Sequence, residues 1–123
     1  MKIGFIGLGN VGGKLAGNLL NNNFDLMVYD KNSDVLNQFK NKGSKIVSSI
    51  EQLVSNNDII ITCLPSPEAC KEVIESSKGI AAYIKENQIW VEMSTTDEDQ
   101  LKKHALLIES KKAIALEAPV SGG

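Results

Sequence analysis

The sequence contains no arginine. All thirteen basic residues are lysines, which are scattered along the chain, and the formal net charge is -2. Arginine carries the planar fork of donors that binds phosphate or carboxylate with paired hydrogen bonds, and nucleic-acid-binding domains gather basic side chains in patches. The absence of both features argues against a nucleic-acid partner.

Cysteine and histidine are also scarce. The two cysteines, Cys63 in the apolar run DIIITCL and Cys70 in a predicted helix, form neither a disulfide framework nor a CxxC metal pair. We interpret both as packed thiols and expect no metal site. The single histidine, His104, lies in the charged segment DQLKKHALLIESKK, which predicts a position on a solvated helix face and no catalytic role.

Long hydrophobic segments are absent as well. The chain has no run of about 18 apolar residues, the length that indicates a membrane-spanning helix. Glycines interrupt the start, MKIGFIG, before it reaches the length of a signal peptide. These absences predict a cytoplasmic protein without a membrane partner. The length of 123 residues, with 42 % of them hydrophobic, fits one globular domain.

What the sequence does contain is a regular alternation. Short apolar runs rich in Ile and Val are separated by longer segments in which apolar residues have helical spacing, as in βαβ units around a parallel sheet. We therefore predict an α/β fold with six strands, at residues 2–7, 25–30, 45–47, 58–64, 89–94 and 113–119.

Helices are predicted between these runs, and GIAAYIKEN is one of them. Ser48 and Glu51 form a capping box at the start of SIEQLVS, Pro67 suits the first turn of a helix through EACKEVIES, and residues 94–96 are expected to cap the helix that begins at DEDQL. Apolar residues three or four apart mark one face of three further helices. They are Val11, Leu15 and Leu19; Val35 and Phe39; and Leu101, Ala105 and Ile108.

The first strand runs directly into GLGNVG, residues 7–12, within which a helix begins. In this context a GxGxxG turn is typical of dinucleotide binding. Gly7 permits the tight turn, Gly9 leaves room for a pyrophosphate beside the backbone, and Gly12 lets the helix pack closely. The pyrophosphate is expected on the free N–H groups at the positive end of the helix. The sequence therefore predicts a Rossmann-type doubly wound parallel sheet with helices on both faces.

Asp30 stands at the end of the second strand, in VYDK. A carboxylate at this point can accept hydrogen bonds from the ribose hydroxyls of NAD, and it repels the 2′-phosphate of NADP. Because the chain has no arginine to compensate that charge, the residue predicts a preference for NAD. An alternative interpretation is that Asp30 only caps the following turn.

Other polar and small residues follow the later strands. Leu64 and Pro65 end the fourth strand, Thr95 follows the fifth, and residues 121–123 follow the sixth. In a parallel sheet the carboxyl ends of the strands share one edge, outside which ligands bind. The hydroxyl and bare backbone of the last segment suit a small anion. We therefore expect these segments to meet at one site.

Four segments carry a resemblance to a known family. GFIGLGNVGGKLAGNLL, CLPSP, EMSTT and EAPVSGG are similar, in order and spacing, to motifs of the β-hydroxyacid dehydrogenases, which include 3-hydroxyisobutyrate dehydrogenase and 6-phosphogluconate dehydrogenase. The resemblance spans the whole chain and implies an oxidoreductase that transfers a hydride between NAD and a small 3-hydroxy acid. Three details depart from the family pattern: Val11 replaces a methionine, the pair Thr96-Asp97 lacks a proline, and Glu117 replaces an aspartate.

The resemblance also implies a role for each candidate site residue. The residues implied to bind the dinucleotide are Gly7, Leu8, Gly9, Asn10, Val11 and Asp30; those implied to line the path to the nicotinamide are Leu64, Pro65 and Thr95; those implied to hold the substrate are Ser121, Gly122 and Gly123.

Residues 1–123 then correspond to an N-terminal dinucleotide-binding domain. Family members continue into a helix that carries a catalytic lysine and into an all-helical domain that usually builds an oligomer. We accordingly expect no catalytic residue and no C-terminal helical domain in this chain, no turnover by the chain alone, and a homo-oligomeric parent protein. Two alternatives stay open: a non-catalytic NAD(H)-binding module, and a related imine or semialdehyde reductase.

Overall fold

The structure, a computed structural model, describes residues 1–119, in which all six predicted strands are present and somewhat shorter than the apolar runs. The strands are β1 Lys2–Ile6, β2 Asp25–Tyr29, β3 Lys45–Ile46, β4 Ile59–Thr62, β5 Ile89–Glu92 and β6 Ile114–Glu117. The helices are α1 Asn10–Asn21, α2 Ser33–Asn41, α3 Ile50–Ser55, α4 Pro67–Glu75, α5 Ile80–Tyr83 and α6 Glu98–Glu109.

The strands form one parallel sheet in the order β3-β2-β1-β4-β5-β6. The chain leaves β1 toward β2 and β3, then crosses back and adds β4, β5 and β6 on the other side of β1. The connections that follow β1 and β4 therefore leave in opposite directions, and a crevice opens between them at the carboxyl ends of the strands. The predicted doubly wound sheet is confirmed.

Helices cover both faces of the sheet, and an apolar cluster lies between the sheet and the helices on each face. Phe5 lies in the cluster that includes Phe39 of α2, whereas Ile60 and Trp90 lie in the cluster that includes Ile108 of α6. Burying such a side chain fully contributes roughly 1.5–3 kcal/mol, so the two clusters supply most of the favourable energy of the fold. They hold the strand ends, and hence the candidate site, in place.

The start of α3 differs from the sequence prediction. The N-cap is Ser49, whose side chain accepts from the Gln52 N–H at 3.1 Å, and not Ser48 with Glu51. The Val47 N–H still bonds the Val28 carbonyl of β2, and Ser49 has extended dihedral angles, so the helix begins only at Ile50. The capping pair is therefore shifted by one residue.

The solvated position predicted for His104 is wrong. Its side chain is 1 % exposed, and its Nε2 lies 2.7 Å from Oε2 of Glu75 in α4. The carboxylate can only accept, so Nε2 donates. His104 follows Leu101 by three residues and precedes Ile108 by four, which puts all three on the face of α6 that meets the sheet. The pair therefore joins α4 to α6.

This pair predicts a pH-dependent stability. The hydrogen bond from His104, with help from Lys103, holds the pKa of Glu75 below its ordinary value of 4.5. A carboxylate with a lowered folded-state pKa adds stability above its unfolded-state pKa, and that stability is lost as the pH falls through the folded-state value. We expect Glu75→Gln to be less stable than wild type near neutral pH, with the difference vanishing in acid.

Urea midpoints measured from about pH 7 down to about pH 3 test this expectation. Glu72→Gln is the matched control, because Glu72 is exposed on the same helix. Curves for wild type and Glu75→Gln that stay parallel over the whole range would rule out the proposed linkage.

Candidate functional site

The site begins at the turn between β1 and α1. Gly7 has φ = +104°, a conformation that side chains disfavour, and a Cβ there would collide with the Cys63 carbonyl oxygen. The Gly7 N–H bonds the Tyr29 carbonyl at 3.1 Å. The turn is thus pressed between the ends of β2 and β4, and glycine is required at this position, as predicted.

The two other motif glycines have opposite surroundings. A Cβ on Gly12 would collide with the Gly7 carbonyl oxygen, so α1 packs directly on the turn. A Cβ on Gly9 would meet no atom within 4 Å, and Gly9 is exposed. The close approach predicted for Gly12 is confirmed, and the open space in front of Gly9 is what an approaching ligand needs.

The first turn of α1 lacks the cap that most other helices have. α2, α3, α4 and α6 each start with a side chain that accepts from their first turn, and these caps are Asn32, Ser49, Ser66 and Asp97. In the described part of the chain, α1 has Gly9 as its N-cap, no capping side chain and no acidic residue in its first turn. Its N–H donors and positive dipole end therefore stand open to an anion.

Asp30 lies beside this open helix end. It follows β2 directly, is half-buried, and its Oδ2 accepts from the Leu8 N–H at 2.8 Å. Its Oδ1 accepts from the Asn32 N–H, also at 2.8 Å. The carboxylate thus braces the glycine turn and the next loop at once. The turn-capping interpretation accounts for one of these bonds, and the bond to Leu8 was not expected from the sequence.

The next strand ends continue the same edge. A Cβ on Gly7 would lie 3.0 Å from Cδ2 of Leu64, and the Leu64 N–H donates to Oγ of Ser94 at 2.7 Å. Pro65 and Thr95 are exposed on this edge. The candidate cofactor residues of β1, β2, β4 and β5 are therefore brought together.

Two predictions for this edge concern the start of α6 and the substrate residues. Residues 94–96 do not cap α6, because the cap is Asp97, whose Oδ2 accepts from the Gln100 N–H at 3.1 Å. Ser94 instead joins the ends of β4 and β5. The substrate residues Ser121, Gly122 and Gly123 lie outside the described residues.

A buried polar network beneath this edge was missed by the sequence reasoning. Oε1 of Glu92 accepts from the Thr62 hydroxyl and from the Ser94 N–H, both at 2.9 Å, and Trp90 Nε1 donates to the Thr62 hydroxyl at 3.0 Å. The period of two in IWVEMS aligns Trp90, Glu92 and Ser94 on one face of β5, which was the available signal. These residues tie the ends of β4 and β5 together.

A cavity of about 240 Å³ opens beside this network, at the ends of β5 and β6. Its lining includes Glu92, Thr95, Leu101 and Pro119. Pro119 is the last described residue, so the cavity lies where the chain leads into the predicted substrate segment.

Neither cysteine is a candidate nucleophile. Cys70 is fully buried, and Cys63 is half-buried against the apolar cluster that contains Phe5. Burial, reinforced by the Glu92 charge, raises the pKa of the Cys70 thiol to about 11 and that of Cys63 above its usual range. The interpretation of both residues as packed thiols is confirmed. No group of three His, Cys, Asp or Glu side chains within residues 1–119 could hold a metal ion.

Comparison with known proteins identifies the family. Residues 2–123 match the family described as the NAD binding domain of 6-phosphogluconate dehydrogenase. The chain belongs to this family. Its cofactor is NAD, and the resemblance drawn from the four sequence motifs is confirmed.

Individual relatives of this NAD-binding domain are longer proteins. Mitochondrial 3-hydroxyisobutyrate dehydrogenase of Mus musculus is 38 % identical over 121 residues, which are 98 % of this chain and 36 % of that protein. A structure of Mycobacterium tuberculosis 3-hydroxyisobutyrate dehydrogenase with L-serine is 27 % identical, with a TM-score of 0.88, over 99 % of this chain and 41 % of that one. The chain thus spans little more than a third of the curated relative it matches.

One further structure supports the fold alone. Psf3 in complex with NADP+ and 2-OPP is 24 % identical with a TM-score of 0.94, over 98 % of this chain and 43 % of that one.

Within the described residues, no helix is long and apolar enough to cross a membrane.

Proposed function

We propose that this chain is the cofactor-binding domain of an NAD-dependent dehydrogenase that transfers a hydride between NAD and a small 3-hydroxy acid. The observation that carries the proposal is the uncapped N-terminus of α1, open at Gly9 and flanked by the Asp30 carboxylate. The names of the 3-hydroxyisobutyrate dehydrogenases support the substrate class.

The surroundings of the glycine turn fit a dinucleotide. N–H groups of residues 9–11 would bind the pyrophosphate, since no side chain within residues 1–119 caps them and open space lies in front of Gly9. Asp30 would accept from the ribose hydroxyls, and Leu64, Pro65 and Thr95 would orient the nicotinamide. When bound, the nicotinamide supplies the hydride chemistry, and the protein supplies position and exclusion of water.

Proton transfer to the substrate oxygen requires a separate group. Within residues 1–119, His104 is buried against Glu75, and Lys103 also pairs with Glu75 at 3.3 Å. Lys102 lies 3.8 Å from Glu98 on the solvent side of α6. Neither lysine is at the strand ends. The resemblance to the β-hydroxyacid dehydrogenases implies that this group is a lysine in a further, helical domain of the parent protein, and that this domain also builds a homo-oligomer.

The compartment stays a prediction. The mouse relative is named a mitochondrial enzyme, so the cytoplasmic location expected from the sequence is not confirmed. We propose a cytoplasmic location for this chain, because its two unpaired thiols, Cys70 buried and Cys63 half-buried, suit a reducing compartment.

Cofactor preference is the first test of the proposal. We expect NADH to bind about tenfold or more tightly than NADPH, because the 2′-phosphate would meet Asp30 with no arginine to neutralise it. Asp30→Asn should narrow this gap, mainly by improving the relative affinity for NADPH. Calorimetric titration of both variants with both cofactors measures the effect.

Asp34→Asn is the matched control for this titration. Asp34 is an exposed carboxylate in the first turn of α2 and should leave the ratio unchanged when neutralised. Equal affinity of the wild-type chain for the two cofactors would refute the role of Asp30.

Turnover is the second test. We expect this chain to bind NADH but to form none from NAD and a panel of 3-hydroxy acids, because a positioned proton-transferring group is typically worth 10²- to 10⁴-fold. The parent reading frame, assayed in parallel, should be active. Activity of the chain alone would overturn the assignment of the lysine to another domain, and inactivity of both proteins would favour a non-catalytic NAD(H)-binding module.

A further inference from the structure

Glu92 is a carboxylate buried where no packing requirement explains it. It is 1 % exposed, ends β5, and lies opposite Thr62, the last residue of β4. Burying a charged group is costly unless hydrogen bonds compensate, so fully buried glutamates are rare.

The contacts of Glu92 form a closed ring across two strand ends. Its Oε1 accepts from the Thr62 hydroxyl on β4 and from the Ser94 N–H beyond β5, both at 2.9 Å. Ser94 in turn accepts, through Oγ, from the Leu64 N–H at 2.7 Å. We call Thr62, Leu64, Glu92 and Ser94 the strand-end clamp. Each strand contributes its last residue, and the segment that follows it contributes the residue two positions later.

The clamp begins where the strand ladder stops. The last backbone bond between these strands runs from the Met93 N–H to the Thr62 carbonyl at 2.8 Å. Beyond that bond, the Ser94 hydroxyl joins the two segments, and the Ser94 N–H is itself held by Glu92. Oε1 of Glu92 accepts from both segments, so Glu92 is the member of the ring that joins them.

The second carboxylate oxygen of Glu92, Oε2, is buried. Oε2 has no hydrogen-bond partner within residues 1–119, and Glu92 lines the cavity that it shares with Ser94 and Thr95. The groups that face Glu92 from neighbouring elements are the thiols of Cys63 and Cys70.

We propose that Glu92 is a positioning residue for the nicotinamide end of the cofactor. By holding Ser94, and Leu64 through it, the carboxylate keeps the Leu64–Pro65 and Ser94–Thr96 segments at the separation that the nicotinamide requires. This inference rests on the proposed function, which assigns these two segments to the nicotinamide. Glu92 acts through the clamp and does not itself touch the reacting atoms.

Two ligands separate positioning from simple loss of stability. ADP-ribose carries the adenosine, the pyrophosphate and the second ribose but lacks the nicotinamide, so it depends on the glycine turn and Asp30. NADH depends on the clamp in addition. Glu92→Met, which keeps length but removes the acceptor, should weaken NADH about tenfold and change ADP-ribose by less than about twofold. Glu92→Gln, which keeps an acceptor oxygen, should restore most of the NADH affinity.

Two further variants complete the experiment. Ser94→Ala removes the acceptor for the Leu64 N–H and should reproduce the Glu92→Met pattern, which covers the case in which Glu92→Met does not fold. Ser44→Ala is the control, because it removes a buried hydroxyl that donates to the Leu26 carbonyl near the amino ends of β2 and β3, away from the clamp. It should leave both affinities unchanged. Calorimetry gives the affinities and circular dichroism verifies folding.

The outcomes are distinct. A wild-type chain that binds neither ligand contradicts the proposed function. A wild-type chain that binds both, with clamp variants that weaken both equally or neither, contradicts the role of Glu92 alone. Equal affinity of the wild-type chain for NADH and ADP-ribose also contradicts the role of Glu92, because the nicotinamide would then contribute nothing to the binding affinity.

Discussion

Gly9→Val is expected to reduce NADH affinity by at least about 100-fold while leaving the chain folded. Gly9 is the N-cap of α1, with an extended backbone at φ = -68° that any residue can adopt, and a Cβ there meets no atom within 4 Å. The branched side chain would fill the space through which the pyrophosphate reaches the backbone donors. Losing two hydrogen bonds to a charged ligand, at roughly 1.5–3 kcal/mol each, accounts for this loss.

Calorimetric titration with NADH measures the effect, with circular dichroism and a urea midpoint to verify the fold. Gly17→Val is the matched control, because Gly17 lies in the same helix, also with nothing within 4 Å of a built Cβ, but away from the turn. It should bind NADH as wild type does. A folded Gly9→Val chain with normal affinity would place the pyrophosphate site elsewhere.

Gly12→Ala is expected to destabilise the whole domain by about 1–3 kcal/mol, the usual range for overpacking. The added methyl would collide with the Gly7 carbonyl oxygen and would lie 3.1 Å from the Gly7 carbonyl carbon and 3.3 Å from the Cys63 carbonyl oxygen. All three are backbone atoms, so no flexible side chain can move aside. Helix propensity alone gives the opposite sign, since Ala is favoured over Gly by about 1 kcal/mol in a helix interior.

The opposite signs make the test decisive. Urea midpoints of Gly12→Ala and Gly17→Ala compare the same change in one helix, and Gly17→Ala should gain up to about 1 kcal/mol because its position is open. If Gly12→Ala gained stability as well, α1 could not be packed on the turn as closely as the structure has it.

The glycine turn and its neighbours could be predicted because their function imposes rules on single residues. A residue with positive φ, such as Gly7, and a helix packed on backbone, as at Gly12, both demand glycine, and the demand is legible in the letters GLGNVG. The position of Asp30 at the end of a strand could also be predicted, because Asp30 directly follows the apolar run of β2. Its bond to the Leu8 N–H could not be foreseen, because it depends on how two loops meet.

His104 and Glu92 were missed because their roles depend on partners that lie far away in the chain. Glu75 lies 29 residues before His104, and Thr62 lies 30 residues before Glu92. Charged neighbours in the sequence suggest that a polar residue is exposed. The spacing of Leu101, His104 and Ile108 instead indicates that His104 lies on the apolar face of the helix. Burying a polar side chain costs free energy unless a hydrogen-bond partner is present, so the partner decides whether the residue can be buried.

The sequence by itself determined the class of fold, the glycine turn and the identity of the anionic residue beside it. Apolar periodicity and glycine stereochemistry are local properties, so they can be evaluated residue by residue. The tertiary structure alone decided the strand order, the cap at Ser49, the α4–α6 pair and the strand-end clamp around Glu92. Each of these depends on which segments the folded sheet brings within hydrogen-bonding distance, and the one-dimensional order of the residues does not encode that distance.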